Sequence, residues 1–130
     1  MASWEEWFDK AQFYIREAKR YASEGPYWAA CLNSHQAAEF ALKGLSVYLS
    51  KSYPFTHDLV TLLDAIHAKT GIEIPPDVYD CADYLSPHYI GARYPGTRAI
   101  SYDSRRARKC LECSKKVLKF VENVSGYIFE

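Results

Sequence analysis

His35, Glu39 and Lys43 stand four residues apart in "NSHQAAEFALKGL", residues 33 to 45, and so form one row along a helix. Beside them stands Gln36. Two arrangements fit the row. In one, Glu39 and Lys43 are a solvated pair in the favourable order, stabilising by about 0.2–0.5 kcal/mol. In the other, the row opens into a cleft. Lys43 then supplies a charge for phosphate, and His35 or Gln36 touches a base or a ribose.

Three more groups carry comparable chemistry. His57 and Asp58 in "THDL" lie at a helix start, where the N-terminal field favours the carboxylate and a histidine can meet a ligand; alternatively Thr56 and Asp58 cap free N–H groups while His57 packs on the chain. "RYPG" sets Arg93 and Tyr94 in a loop, a planar fork for phosphate and a ring for stacking. The bland use of Arg93 is to anchor that loop to Glu39 or Asp58. Arg98 and the run "SRRARK", with Arg105 and Arg106, add positive charge at the start of the last helix. Positive charge there opposes the helix dipole, so an anion or acidic partner is one way to satisfy it, and a solvated basic face is the other.

What must position these groups is helical throughout. Ser3 and Glu6 have capping-box spacing, and an apolar stripe from Trp4 to Ala22 keeps the rhythm of one helical face up to Gly25. Pro26 suits the opening of a second helix to about Ser52. Thr56 can cap a third, which Gly71 stops, and Pro75 and Pro76 begin a shorter fourth to about Leu85. "SPHYIGARYPGTRAIS" is the main loop. The last helix runs from about Asp103 to Gly126. The expected fold is all-α: one domain over residues 1–130, an antiparallel up-and-down four-helix bundle with one additional short helix.

Within it the second helix is apolar on most of its surface, with His35, Gln36, Glu39, Lys43, Ser46 and Ser50 confined to one sector. Such a helix belongs at the centre. Its surplus of apolar surface, through the alanine back or the Phe40 and Val47 side, is met either inside the chain or by a second copy in a homodimer.

Composition narrows the classes. Sixteen basic and sixteen acidic residues leave no net charge, which weighs against indiscriminate coating of nucleic acid. The 11 tyrosines and 3 tryptophans point to aromatic seams or interfaces. No apolar run approaches the roughly 20 residues that cross a bilayer, and "MASWEEWFDK" is unlike a signal peptide. A soluble cytoplasmic protein with no membrane role is expected. The four cysteines, Cys31, Cys81, Cys110 and Cys113, include one C-x-x-C within a helical pattern. They are expected as buried small hydrophobes, with no metal and no cofactor; a disulfide is also open.

The order "YWAACLNSHQAAEFALKGL", "FTHDLVTLLDAI" and "YIGARYPG" before a last helix resembles the HEPN family, over about residues 3 to 126. The resemblance implies an all-α bundle, commonly dimeric, associated with minimal nucleotidyltransferase proteins of the toxin-antitoxin kind and with a nucleotide or RNA. Some members of that family are ribonuclease toxins, marked by an arginine followed within a few residues by histidine near the last helix. Here Arg93, Arg98, Arg105, Arg106 and Arg108 all follow the last histidine, His88. The acid–base pair is missing, so no catalytic residue is assigned. The expected function is a binding module for a nucleotide, a nucleic acid or a nucleotidyltransferase subunit. Two alternatives are a ribonuclease with a rearranged site using His57 or His88 with Arg93, and a non-catalytic scaffold that recognises only protein.

Overall fold

A computed structural model describes residues 2–96 and 100–130. Its elements are α1 (Trp4–Glu24), α2 (Tyr27–Ser50), α3 (Leu59–Thr70), α4 (Pro76–Leu85), the single turn α5 (His88–Gly91) and α6 (Ser104–Ser125). The expected all-helical class holds, and α5 is a turn of helix where only loop was expected.

Local chemistry sets the ends. Ser3 and Glu6 form the reciprocal capping box, Ser3 N–H donating to Glu6 Oε2 at 2.7 Å and Glu6 N–H to Ser3 Oγ at 3.2 Å. Gly71 and Gly126 end α3 and α6 with φ of 75° and 81°, a left-handed conformation that costs glycine little. One boundary moves: Asp58, not Thr56, caps α3, its carboxylate accepting from Thr61 N–H at 3.3 Å. His57 is therefore outside the helix, in the linker that precedes it.

α2 is the axis of the molecule and packs against each of the other five elements. Its alanines at 29, 30, 37, 38 and 41 are buried, and so is Val47. The apolar surplus of α2 is thus largely met inside one chain. Gly44 shows how closely α1 lies on it. A Cβ there would stand 2.6 Å from the Phe8 ring and 2.9 Å from Trp7 Cβ, so only glycine permits this approach without displacement. α6 closes the other side, with Ser114 Oγ donating to the Ser34 carbonyl at 2.7 Å in the buried seam.

The cysteines do more than fill space. Cys31 of α2 is bonded to Cys110 of α6, and Cys81 of α4 to Cys113 of α6, with Cα atoms 5.2 and 4.7 Å apart. Expected chiefly as small hydrophobes, they are buried and paired, because α6 lies between α2 and α4 and presents successive turns to each. Among the described residues, no helix is long and apolar enough to cross a membrane.

Candidate functional site

The polar row of α2 is not wet. His35, Glu39 and Lys43 are 0%, 1% and 6% exposed. The expectation of an outlet to solvent or ligand is corrected here. Helical spacing gives a residue's angle on the cylinder but not what covers it, and this sector is covered by side chains from the linker before α3 and from the loop around α5. Lys43 Nζ donates to Glu39 Oε2 at 2.8 Å and lies 5.9 and 5.5 Å from the Trp7 and Tyr53 ring centroids. His57 Nδ1 donates to the same Glu39 oxygen at 2.9 Å. His35 Nε2 is 3.1 Å from the His57 carbonyl, and its Nδ1 is 3.2 Å from Gln36 Oε1. Burial holds the His35 ring below the ordinary histidine range.

From this buried network a stack runs outward. The Tyr89 ring lies on the His57 ring at 4.0 Å and 15°. The Arg93 guanidinium carbon is 4.5 Å from the Tyr89 centroid, and Arg93 Nε donates to the Tyr89 carbonyl at 3.3 Å. Arg93 is thus held by Tyr89 of its own turn, rather than by Glu39 or Asp58. Asp58 is spent on structure: its carboxylate accepts from Thr61 and from Ser86 Oγ at 3.1 Å, and the Thr61 hydroxyl holds it below the usual carboxylate range.

Arg93 and Tyr94 also line a groove of about 500 Å³ with Trp28, Gly91, Ile100 and Tyr102. Trp28 and Tyr94 are half-exposed. Gly91 keeps the floor open to close packing, since a Cβ there would meet Ile100 Cδ1 at 2.7 Å and the Tyr102 hydroxyl at 2.9 Å. Arg105 is exposed on the first turn of α6, and Arg106 Nε donates to the Ser101 carbonyl at 2.8 Å. Arg98 lies outside the described residues. Of the expected site residues, then, Arg93 and Tyr94 share a concavity, and His57 stacks on Tyr89, the ring that holds Arg93. Lys43, His35 and Gln36 belong to the interior network and do not line the groove. Trp28, Tyr89 and Tyr102 were not foreseen. Only the four-residue spacing of Tyr89 and Arg93 announced one of them.

His88 is 2% exposed, with Nδ1 2.8 Å from the Tyr102 hydroxyl, so it is closed to substrate and unfit for the rearranged ribonuclease site. Burial pushes its pKa down from 6.5 to about 4. A histidine kept neutral by the fold contributes stability that is complete above its unfolded value and lost as pH falls through the folded one. Unfolding free energy should therefore drop by about 3 kcal/mol between pH 7 and pH 4 from this group. Denaturant titrations across that window check it, and His88→Gln should flatten the profile.

The sequence matches the HEPN domain family over residues 4–124. Among solved structures it is similar to a protein from Thermus thermophilus, at 30% identity over 95% of this chain and 98% of that one, with a TM-score of 0.85. An archaeal HEPN homologue matches at 29% identity over 95% and 98%, TM-score 0.78. A HEPN domain protein from Thermotoga maritima, at 23% identity over 95% and 99% with a TM-score of 0.75, shares the fold. No curated protein matches.

Proposed function

The chain belongs to the HEPN domain family, a family of helical nucleotide-binding modules, and from that premise we propose that it binds a nucleotide or a short single-stranded RNA in the groove between Trp28 and Tyr94. The observation that carries this reading is the company Arg93 keeps. A guanidinium fixed on Tyr89 stands in a concavity with two half-exposed aromatic rings. Planar bases stack on such rings, and a preoriented guanidinium takes phosphate. The exposed Arg105, with Arg108 and Lys109 beside it, continues the positive charge along α6.

The module acts as a homodimer in the cytoplasm, with a minimal nucleotidyltransferase subunit of a toxin-antitoxin pair as its protein partner. What supports a second copy is an aromatic file across α1, α2 and the following linker, partly buried in its middle and exposed at both ends, Phe13 and Phe55. Phe13, Tyr14, Phe40, Trp7, Tyr53 and Phe55 contact one another in that order at 4.9–5.5 Å, ending in Phe55 at 94% exposure. Isolated exposed rings are ordinary, whereas a file of this length fits an interface.

A second reading rests on His57. Its Nδ1 is held by a buried carboxylate while the side chain is about half exposed, a pairing suited to proton transfer. One set of preparations separates the readings. Fluorescence titration with ATP and a short oligoribonucleotide is expected to show Arg93→Glu and Trp28→Ala each weakening binding at least about tenfold. The RNA should stay intact on a gel, and sedimentation should give twice the chain mass. Unchanged affinity in both variants removes the groove; cleavage abolished by His57→Ala establishes the enzyme instead.

A further inference from the structure

Cys31 of α2, Cys110 of α6 and His88 of α5 converge at the centre of the molecule. Both sulfurs and one imidazole nitrogen lie within 4.8 Å of one another, and all three residues are buried. His88 Nδ1 is taken by the Tyr102 hydroxyl at 2.8 Å, which leaves Nε2 as the nitrogen for a third party. In the disulfide form the two sulfurs are bonded to each other and cannot hold a cation. Cys81 and Cys113 form the other disulfide and have no place in this cluster.

We propose that reduction of the Cys31–Cys110 disulfide converts this cluster into a binding site for one thiophilic cation of the Zn2+ class, ligated by both sulfurs and His88 Nε2. Its chemistry balances. A dithiol reductant gives two electrons and two protons to the sulfurs, breaking the S–S bond, and leaves as its own disulfide. Each thiol then loses its proton to solvent as its sulfur bonds the cation. Two thiolates, one dication and a neutral imidazole sum to zero charge, the condition under which a buried ionic group is tolerated. Tetrahedral Zn–S bonds of about 2.3 Å place two sulfurs about 3.8 Å apart, so the sulfurs separate from bonding distance once the S–S bond is broken. Tyr102 supplies the support that a ligating histidine needs on its other nitrogen, accepting from Nδ1–H and fixing the tautomer with the lone pair on Nε2.

The test uses the full chain reduced with a phosphine, desalted without oxygen and titrated with Co2+ as a coloured substitute for Zn2+, helix content being followed by circular dichroism. One equivalent of Co2+ should produce a thiolate-to-cobalt band that one equivalent of Zn2+ abolishes. The oxidised protein should stay colourless. The Cys81→Ser/Cys113→Ser variant should titrate like the parent, His88→Gln should bind at least about tenfold more weakly, and Cys31→Ser should lose the parent's spectrum. A reduced, helical protein without the band overturns the proposal. So does a band that survives Cys31→Ser unchanged, one that disappears with Cys81 and Cys113, or one that requires loss of the helices. None of these readouts involves the Trp28 groove, so nucleotide binding and metal binding stand or fall separately.

Discussion

Reduction of both disulfides in metal-free protein is expected to lower the unfolding temperature by about 15–25 °C. Cys31–Cys110 spans 79 residues and Cys81–Cys113 spans 32. On chain-entropy grounds each link of this size removes about 4 kcal/mol of freedom from the unfolded chain. The two loops overlap along the sequence, so their joint effect is less than the sum, roughly 5–7 kcal/mol. The comparison that checks the assignment is Cys31→Ser/Cys110→Ser against Cys81→Ser/Cys113→Ser, each melted under oxidising conditions. The first pair should lose more, because it closes the longer loop and ties the central α2 to α6. Excess Zn2+ should return part of the loss to the reduced parent protein and none to the Cys31→Ser/Cys110→Ser variant. A reduced parent melting within about 5 °C of the oxidised one would mean that helix packing alone holds α6 between its neighbours.

The difference between what could and could not be read from sequence follows from distance along the chain. Ser3 with Glu6, Gly71 and Gly126 act within one turn of their own helix, so their roles were legible from spacing. The centrality of α2 was legible too, because a helix apolar on most sides has nowhere else to go. The cover over its polar row was not. His57 reaches Glu39 from 18 positions away, and Tyr89 then lies on His57. Nothing in the periodicity of residues 33 to 45 encodes either contact. Cysteine pairing is opaque for the same reason: Cys110 and Cys113 look like a local C-x-x-C, yet each is bonded to a different distant helix. That Arg93 and Tyr94 stand together was legible because they are neighbours in one loop, whereas Trp28, more than 60 positions away, comes beside them only through the fold.

Lys43→Met should destabilise the protein by about 3 kcal/mol, far beyond the 0.2–0.5 kcal/mol of an exposed intrahelical pair. The reason is what it would leave behind. Glu39 Oε2 accepts from Lys43 Nζ and His57 Nδ1, whereas Glu39 Oε1 has no hydrogen-bond partner among the described residues, with His35 Nδ1 nearest at 3.7 Å. Without Lys43 a buried carboxylate retains a single N–H donor, and the cost of desolvating its charge is no longer offset. Removing the charge as well should restore most of the loss, because the Trp7 and Tyr53 rings around Lys43 accept apolar groups. Glu39→Leu/Lys43→Met is thus expected near parental stability, giving a coupling energy of about 3 kcal/mol in the double-mutant cycle. Urea unfolding of the four proteins measures it. The same cycle bears on function. As part of the interior rather than the groove, Lys43 should leave nucleotide affinity unchanged under conditions where Lys43→Met is folded, while Arg93→Glu weakens it at least about tenfold. A destabilisation below about 0.5 kcal/mol would return Lys43 to solvent. A large loss of affinity at full stability would make Lys43 a phosphate ligand after all.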